Sequence, residues 1–240
     1  RDAAPDPAFR MTPETLAAVM EATWPPARVW RTGPFTFREG AGGGKRVSAA
    51  SCDGIWEEGD LAALDAMAEP LVLIRAGDAA LDAALEARGW RIVDPVVAYA
   101  APVVELLAEL PPLAAFPHWP PLAIACSIWE DGGIGPARLA VMERVHGPKS
   151  AILARDGDRP AGVAFVACHG PEAMLHALEV RPAHRQRGIG GTLLHSAALW
   201  AADEGARRLS VVVTERNSAA RALYARLGMQ VVGQYHYRMK

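Results

Sequence analysis

The sequence predicts an α/β (α+β) chain whose chemistry sits at one strand–turn–helix junction in its second half. Three observations carry this. β-Branched apolar runs alternate with helical patterns of i, i+4 spacing; a glycine-rich turn joins one such run to the next helix; and a strand–helix–glycine–strand unit occurs twice. With 51% apolar residues and a net charge of −2 over 240 residues, the chain suits one large or two small globular domains.

The first helix is expected at Pro13 to Trp24, with Thr12 as N-cap, proline at the first helical position, and Leu16, Val19 and Met20 on one face. Pro25-Pro26 stops it. Two strand-like runs follow, Gly33 to Glu39 and Lys45 to Ser51, and the cluster Gly40 to Gly44 between them is read as a flexible hairpin tip. A phosphate loop is excluded there, because strands are expected on both sides and no Ser or Thr follows the lysine. A helix around Leu61 to Ala68 and a strand at Leu71 to Arg75 come next.

The unit from Asp78 to Val93 then foreshadows the one from Asn217 to Val232. Asp78 precedes Gly89 by the same eleven positions by which Asn217 precedes Gly228, and Leu85 stands where Tyr224 stands. Few identities support the match in such alanine-rich helices, so coincidence stays open. Five prolines between Pro111 and Pro121 mark a boundary that neither a helix interior nor a central strand tolerates. Beyond it the pattern predicts a helix from Pro136 to Val145, a hairpin from Ser150 to Cys168, and a strand through His176. Strict alternation there puts Met174, His176, Leu178 and Val180 on one face and Leu175, Ala177 and Glu179 on the other.

That strand ends in Arg185-Gln186-Arg187-Gly188-Ile189-Gly190-Gly191-Thr192, which opens the next helix. A helix start leaves about four backbone N–H groups without intrahelical partners, and glycines let an anion approach them. Those amides, the helix dipole and the flanking Arg185 and Arg187 suit a phosphorylated ligand. The dinucleotide G-x-G-x-x-G order is reversed here, and the lysine of a P-loop is missing. A β-branched run, Leu209 to Thr214, then leads into a short helix capped by Asn217 or Ser218 and stopped by Gly228.

Together, R-x-x-G-x-G and N-x-x-A-x-x-x-Y-x-x-x-G resemble the GNAT superfamily of acyl-CoA-dependent acyltransferases over the last half of the chain. The resemblance implies a mixed, mostly antiparallel sheet flanked by helices and splayed where two central strands diverge, with the pantetheine arm of acetyl-CoA in the gap. It implies that backbone groups of Leu178 and Val180, next to Glu179, pair with that arm. Residues Arg185, Gln186, Arg187, Gly188, Ile189, Gly190, Gly191 and Thr192 are to take the pyrophosphate, and Asn217 and Ala220 to contact the arm. Tyr224 is to protonate the leaving thiolate, or else it is an aromatic filling the space between helix and sheet. His176 is a candidate base for the acceptor or a buried histidine bonded to a neighbouring carbonyl; Glu179, on the opposite face, is a weaker candidate.

The organisation expected is a degenerate copy at 1–110, a proline-rich linker at 111–122 and a catalytic domain at 123–240, in tandem. The first copy lacks R-x-x-G-x-G and is expected to complete the sheet or wall the acceptor site. Function follows as an acetyl-CoA-dependent N-acetyltransferase acting on a small-molecule or peptide amine by direct attack in a ternary complex. A non-catalytic acyl-CoA-binding module is the other class. The tryptophans 24, 30, 56 and 90 could line an acceptor cavity, although they more often fill cores.

Other partners are disfavoured by composition. A pI near 6.4 lacks the basic footprint of nucleic-acid binding or of an anionic membrane surface. No leader and no apolar run of about 18 residues is present, and position 1 is arginine, which leaves an upstream native start open. The three cysteines, Cys52, Cys126 and Cys168, are far apart and show no metal spacing, so reduced thiols, no metal and a cytoplasmic location are expected. A homodimer is left open. His184, His195 and His236 have no partner pattern and read as surface or filler.

Overall fold

The structure, a computed structural model, describes residues 11–240; the first ten residues of the region 1–110 lie outside it. Helix α1 (Pro13–Thr23) starts as expected, with the Thr12 hydroxyl accepting from the Thr15 amide, and buries Leu16, Val19 and Met20. Strands β1 (Arg28–Thr32) and β2 (Phe35–Glu39) form a hairpin, and β2 also pairs with the short β3 (Ser51–Cys52).

Two expectations fail in this region. Lys45 to Ser51 is not a strand: residues Lys45–Val47 form a 3₁₀ turn, and the hairpin turns at Gly33 and Pro34 instead. Nor is the glycine cluster a hairpin tip. It is a loop pressed against the later helix α5 (Pro136–Arg144), where a Cβ on Gly43 would lie 2.5 Å from the Val141 side chain. Glycine is there for close approach.

The remaining elements are α2 (Leu61–Asp65), β4 (Leu71–Arg75), α3 (Ala79–Ala87), β5 (Arg91–Pro102), β6 (Ala115–His118), α4 (Ala123–Asp131), β7 (Lys149–Asp156), β8 (Arg159–His169), β9 (Glu172–Val180), α6 (Ile189–Asp203), β10 (Arg208–Thr214), α7 (Ser218–Arg226) and β11 (Gln230–Met239). Helix α4 has no counterpart in the sequence reading. It is short, lacks a capping side chain at Leu122 and follows the proline cluster, so propensity gave no clear start. Within that cluster β6 pairs with β7 as an edge strand, the one sheet position that accepts proline.

Eight strands form one mixed sheet in the order β4-β11-β5-β10-β9-β8-β7-β6. All pairs are antiparallel except β9 with β10. The two sequence units are therefore interleaved, with β11 between β4 and β5 and β5 between β11 and β10. Exchanging the units reverses the strand order onto itself. The central register obeys the same exchange: Ile92 pairs with Arg238, and their equivalents Val231 and Tyr99 pair with each other. Both unit helices end alike, with Gly89 and Gly228 at φ +83° and +81°, and with the amides of Trp90 and Met229 bonded back to Leu85 and Tyr224. These are Schellman caps, which need a left-handed residue and so favour glycine.

Helix α6 covers one face of the sheet and buries Leu193, Leu194, Ala197, Ala198 and Ala201. Helices α1, α4 and α5 cover the other, with Trp129, Phe165 and Met142 among the buried side chains. The three cysteines are free, and burial pushes the Cys168 thiol up to about 12. Among the described residues no helix is long and apolar enough to cross a membrane, and no group of His, Cys, Asp and Glu is arranged to hold a metal ion.

Candidate active site

The site begins where β9 and β10 part. Their parallel pairing runs from Glu172↔Arg208 to Leu175↔Val211 and then stops, although both strands continue. At the paired end the Arg208 guanidinium grips the Glu172 carboxylate through two bonds of 2.8 and 2.5 Å, both side chains nearly buried. The other end opens into a cleft of about 850 Å³.

A β-bulge shapes the cleft wall. The pairing of β8 with β9 shifts between Val163↔Glu179 and Phe165↔His176, and Ala177 takes φ +51°. The Trp129 indole N–H holds the bulge by donating to the Ala177 carbonyl at 2.7 Å. One extra residue breaks the two-residue alternation, which corrects the expected faces. Leu178 and Val180 turn to the α6 side, while Glu179 joins His176 on the side of α1 and α4. Gly132, just past α4, covers Glu179 so closely that a Cβ would lie 2.6 Å from the Glu179 Cγ.

The turn after β9 supplies the donors. Gly188 caps α6 in a left-handed conformation, φ +83°, and Gln186 before it is also left-handed at φ +59°. Backbone N–H groups of residues 186–191 have no protein acceptor among the described residues. Gln186, Gly188, Ile189, Gly190 and Gly191 line the cleft, as does Arg185. Arg185 is not free to aim at a ligand with its whole fork: its Nε donates to the Val180 carbonyl at 3.0 Å and its Nη2 to Glu179 at 3.1 Å. Arg187 and Thr192 stand outside the lining; Arg187 pairs with Asp156 at 2.8 Å, and the Thr192 amide closes the first turn onto the Gly188 carbonyl.

Helix α7 forms the opposite lip through Asn217, Ala220 and Tyr224. Asn217 caps it, its Oδ1 accepting from the Ala220 amide at 3.1 Å. Tyr224 is buried against Tyr99, ring centroids 5.7 Å apart, and lines the cleft. Burial pushes that phenol up to about 12, so it stays protonated at neutral pH.

His176 is buried and fully engaged. Arg46 can only donate, so the 2.9 Å contact from its Nη1 makes His176 Nδ1 the acceptor. His176 Nε2–H then donates to Thr23 Oγ1 at 2.8 Å, and Thr23 donates to the Val19 carbonyl at 2.5 Å. Burial, and next the Arg46 charge, hold the imidazole pKa well below 6.5. A neutral ring whose lone pair is taken by a cation is a poor proton acceptor, which corrects its assignment as the base. Its expected carbonyl partner is replaced by a hydroxyl and a guanidinium. Arg46 itself was missed by sequence reasoning: it lies 130 positions from His176, in a run read as strand.

The depressed imidazole has a thermodynamic consequence. The unfolded chain takes up a proton near pH 6.5 and the folded one does not, so His176 adds stability above that value that is lost as pH falls through the window below it. Thermal unfolding midpoints are expected to drop on going from pH 7.5 to 5, and to drop less in His176→Gln. Equal slopes for the two proteins would contradict this.

Other histidines have partners after all: His184 meets Asp156 at 2.7 Å, His236 meets Asp82 at 2.9 Å, and His195 donates to the Leu106 carbonyl at 2.8 Å. Of the four tryptophans considered, Trp24 lines a second cavity with its ring tilted against His176, centroids 5.0 Å apart, and Trp56 packs partly buried against the cluster that holds Leu61 and Leu64. Trp30 stacks on Phe37, and Trp90 is buried with its indole on Asp65.

A strand pair pinned at one end and splayed at the other, with amides free of protein acceptors at the following helix start, is the arrangement that the resemblance to the GNAT superfamily implies. Residues 112–229 match the Acetyltransferase (GNAT) family. An uncharacterized N-acetyltransferase of Mycobacterium tuberculosis (strain ATCC 25618 / H37Rv) is 32% identical over 130 residues, covering 53% of this chain and 81% of the relative. The chain spans half of an uncharacterized N-acetyltransferase of Bacillus subtilis (strain 168), 27% identical over 123 residues that cover 48% of this chain. A GCN5-related N-acetyltransferase from Kribbella flavida superposes with TM-score 0.65 at 18% identity, over 94% of both chains. A tandem GNAT protein from the clavulanic acid biosynthesis pathway does so with TM-score 0.60 at 15% identity, over 94% of this chain and 87% of that one. The chain belongs to the GNAT acetyltransferase family and is an acyltransferase enzyme.

Proposed function

We propose that the protein is an acetyl-CoA-dependent N-acetyltransferase that acetylates the primary amine of a small molecule or peptide by direct attack in a ternary complex. The observation that carries the reading is the run of unpaired amides at residues 186–191, set at the mouth of a cleft that Tyr224 also lines. Those N–H groups and the α6 dipole fit a pyrophosphate. The edge of β9 that β10 leaves unpaired past Leu175 fits the amides of a pantetheine arm, although the Val180 carbonyl already accepts one bond from Arg185. Asn217 and Ala220 border the same channel.

Acetyl-CoA supplies the thioester that the amine attacks; a C–N bond forms and the C–S bond breaks. An amine of pKa about 10.4 is only about one part in a few thousand neutral at pH 7, so its proton needs an acceptor. Glu179 is the carboxylate that lines the cleft, and it receives the proton through water in place of His176. Tyr224 Oη faces the departing sulfur. A phenol at about 12 is too weak an acid to hand its proton fully to a thiolate of about 8.5, so its contribution is a hydrogen bond that stabilises the developing charge. Tyr224→Phe is expected to lower kcat about tenfold to a hundredfold with KM for acetyl-CoA little changed. Thiol release assayed with an amine panel tests both points; turnover unaffected by the substitution would remove Tyr224 from the mechanism.

The N-terminal half reads as a degenerate copy of the same unit, supported by the exchange symmetry of the central register. In it Asp78 binds the Arg75 amide at 2.9 Å instead of capping its helix, and Leu85 replaces the tyrosine. Its role is to complete the sheet through β4 and β5 and to wall the acceptor side through α1 and Arg46. On this reading a catalytic unit at 123–240 follows the proline-rich 111–122, whose β6 joins its sheet as the edge strand beside β7.

A further inference from the structure

Arg46 is a charge without a counter-ion among the described residues. It is half-buried on the 3₁₀ turn, and its guanidinium lies 6.0 Å from the Trp24 ring. Among the described residues its Nε is buried without an acceptor, and of its nitrogens Nη1 alone has a partner, His176. The chain from Val19 through Thr23 and His176 fixes that Nη1 and so orients the fork, which leaves Nη2 as an unused donor. A guanidinium taken from water without a counter-charge is costly unless an anion completes it.

The position of Arg46 names the anion's carrier. It lines the thioester cleft, and it also lines a second cavity of about 740 Å³ between α1 and strands β2, β4 and β11. Walls of that second cavity are largely apolar, with Leu16, Met20, Trp24 and Tyr235 among them. Its two carboxylates are already neutralised: Arg38 holds Glu21 at 2.8 Å and Arg75 holds Asp53 at 3.0 Å. The surplus charge there is positive, from Arg31 and Arg46, which repels a polycationic acceptor.

We propose that the acceptor is an amine that also carries a carboxylate and an apolar substituent, such as an apolar amino acid, with Arg46 holding the carboxylate where the two cavities meet. The amine then faces the thioester cleft and the apolar group enters the cavity beside α1. His176 is a positioning residue that aims Arg46. This rests on the transferase reading above and adds the acceptor class to it.

Matched pairs test it: phenylalanine against phenethylamine and leucine against isoamylamine, each with acetyl-CoA and thiol release as readout. Wild-type kcat/KM is expected to favour the carboxylate member by about tenfold to a hundredfold, the range of one charge-assisted contact. In Arg46→Met that ratio is expected to collapse towards one through KM, and Arg46→Lys is expected to restore part of it, while calorimetry with acetyl-CoA confirms that each variant is folded. Equal turnover of both members by wild type would overturn the proposal and leave the transferase reading standing. So would a ratio unchanged in a folded Arg46→Met. Failure of wild type to bind acetyl-CoA would remove the transferase reading and this proposal together. Should Arg46→Met not fold, the wild-type ratio alone decides.

Discussion

Gly188→Glu is expected to weaken acetyl-CoA binding by about a thousandfold while leaving the protein folded. A glutamate would place a negative charge at the amides proposed to hold the pyrophosphate. Two unit charges about 4 Å apart near a protein surface repel by about 4 kcal/mol, close to three decades in affinity. Two features keep the fold intact. Nothing lies within 4 Å of a Cβ built on Gly188, and the strain of an L-residue at φ +83° is about 1–2 kcal/mol, a fraction of a typical domain's stability. Gly188→Ala separates the effects, since it adds the strain without the charge; a loss of under about tenfold is expected. Calorimetric titration with acetyl-CoA and thermal unfolding check both. Near-normal affinity in Gly188→Glu would mean the phosphates bind elsewhere.

The second large effect lies at the closed end of the splay. Glu172→Ala is expected to destabilise the protein by about 1.5–3 kcal/mol, because it removes two charge-assisted bonds from the Arg208 guanidinium. Arg208 and Glu172 face each other in the register of β9 and β10, and their bidentate contact pins the strands where pairing begins. Above this pin the strands diverge, so loosening it alters the width of the cleft. Urea denaturation is expected to show a lower midpoint at unchanged slope. Glu172→Gln, which keeps the shape and one acceptor, is expected to lose less. A cost below about 1 kcal/mol in Glu172→Ala would show that the pin is dispensable.

Parts of this site were legible because local chemistry sets them. Thr12 with Pro13 fixes the start of α1, Gly188 and Gly228 mark left-handed caps, and Asn217 caps α7, each through interactions within a few residues. The repeat of strand, helix and glycine was visible for the same reason. What it could not reveal is the interleaving, since the insertion of β11 between β4 and β5 depends on pairings across more than a hundred residues. Ala177 carries no glycine to announce a bulge; Trp129, nearly fifty residues earlier, holds it in place. That single bulge moved Glu179 to the face of His176. Arg46 was hidden for a like reason: its meaning comes from His176, Thr23 and Trp24, which only the fold brings together.

A crystal structure of the complex with acetyl-CoA tests the central claim most directly. The account predicts the pyrophosphate within hydrogen-bond distance of the amides of residues 186–191, the arm between β9 and β10, and the thioester beside Tyr224 Oη. Coenzyme found in the cavity beside α1, or a pyrophosphate away from those amides, would contradict it.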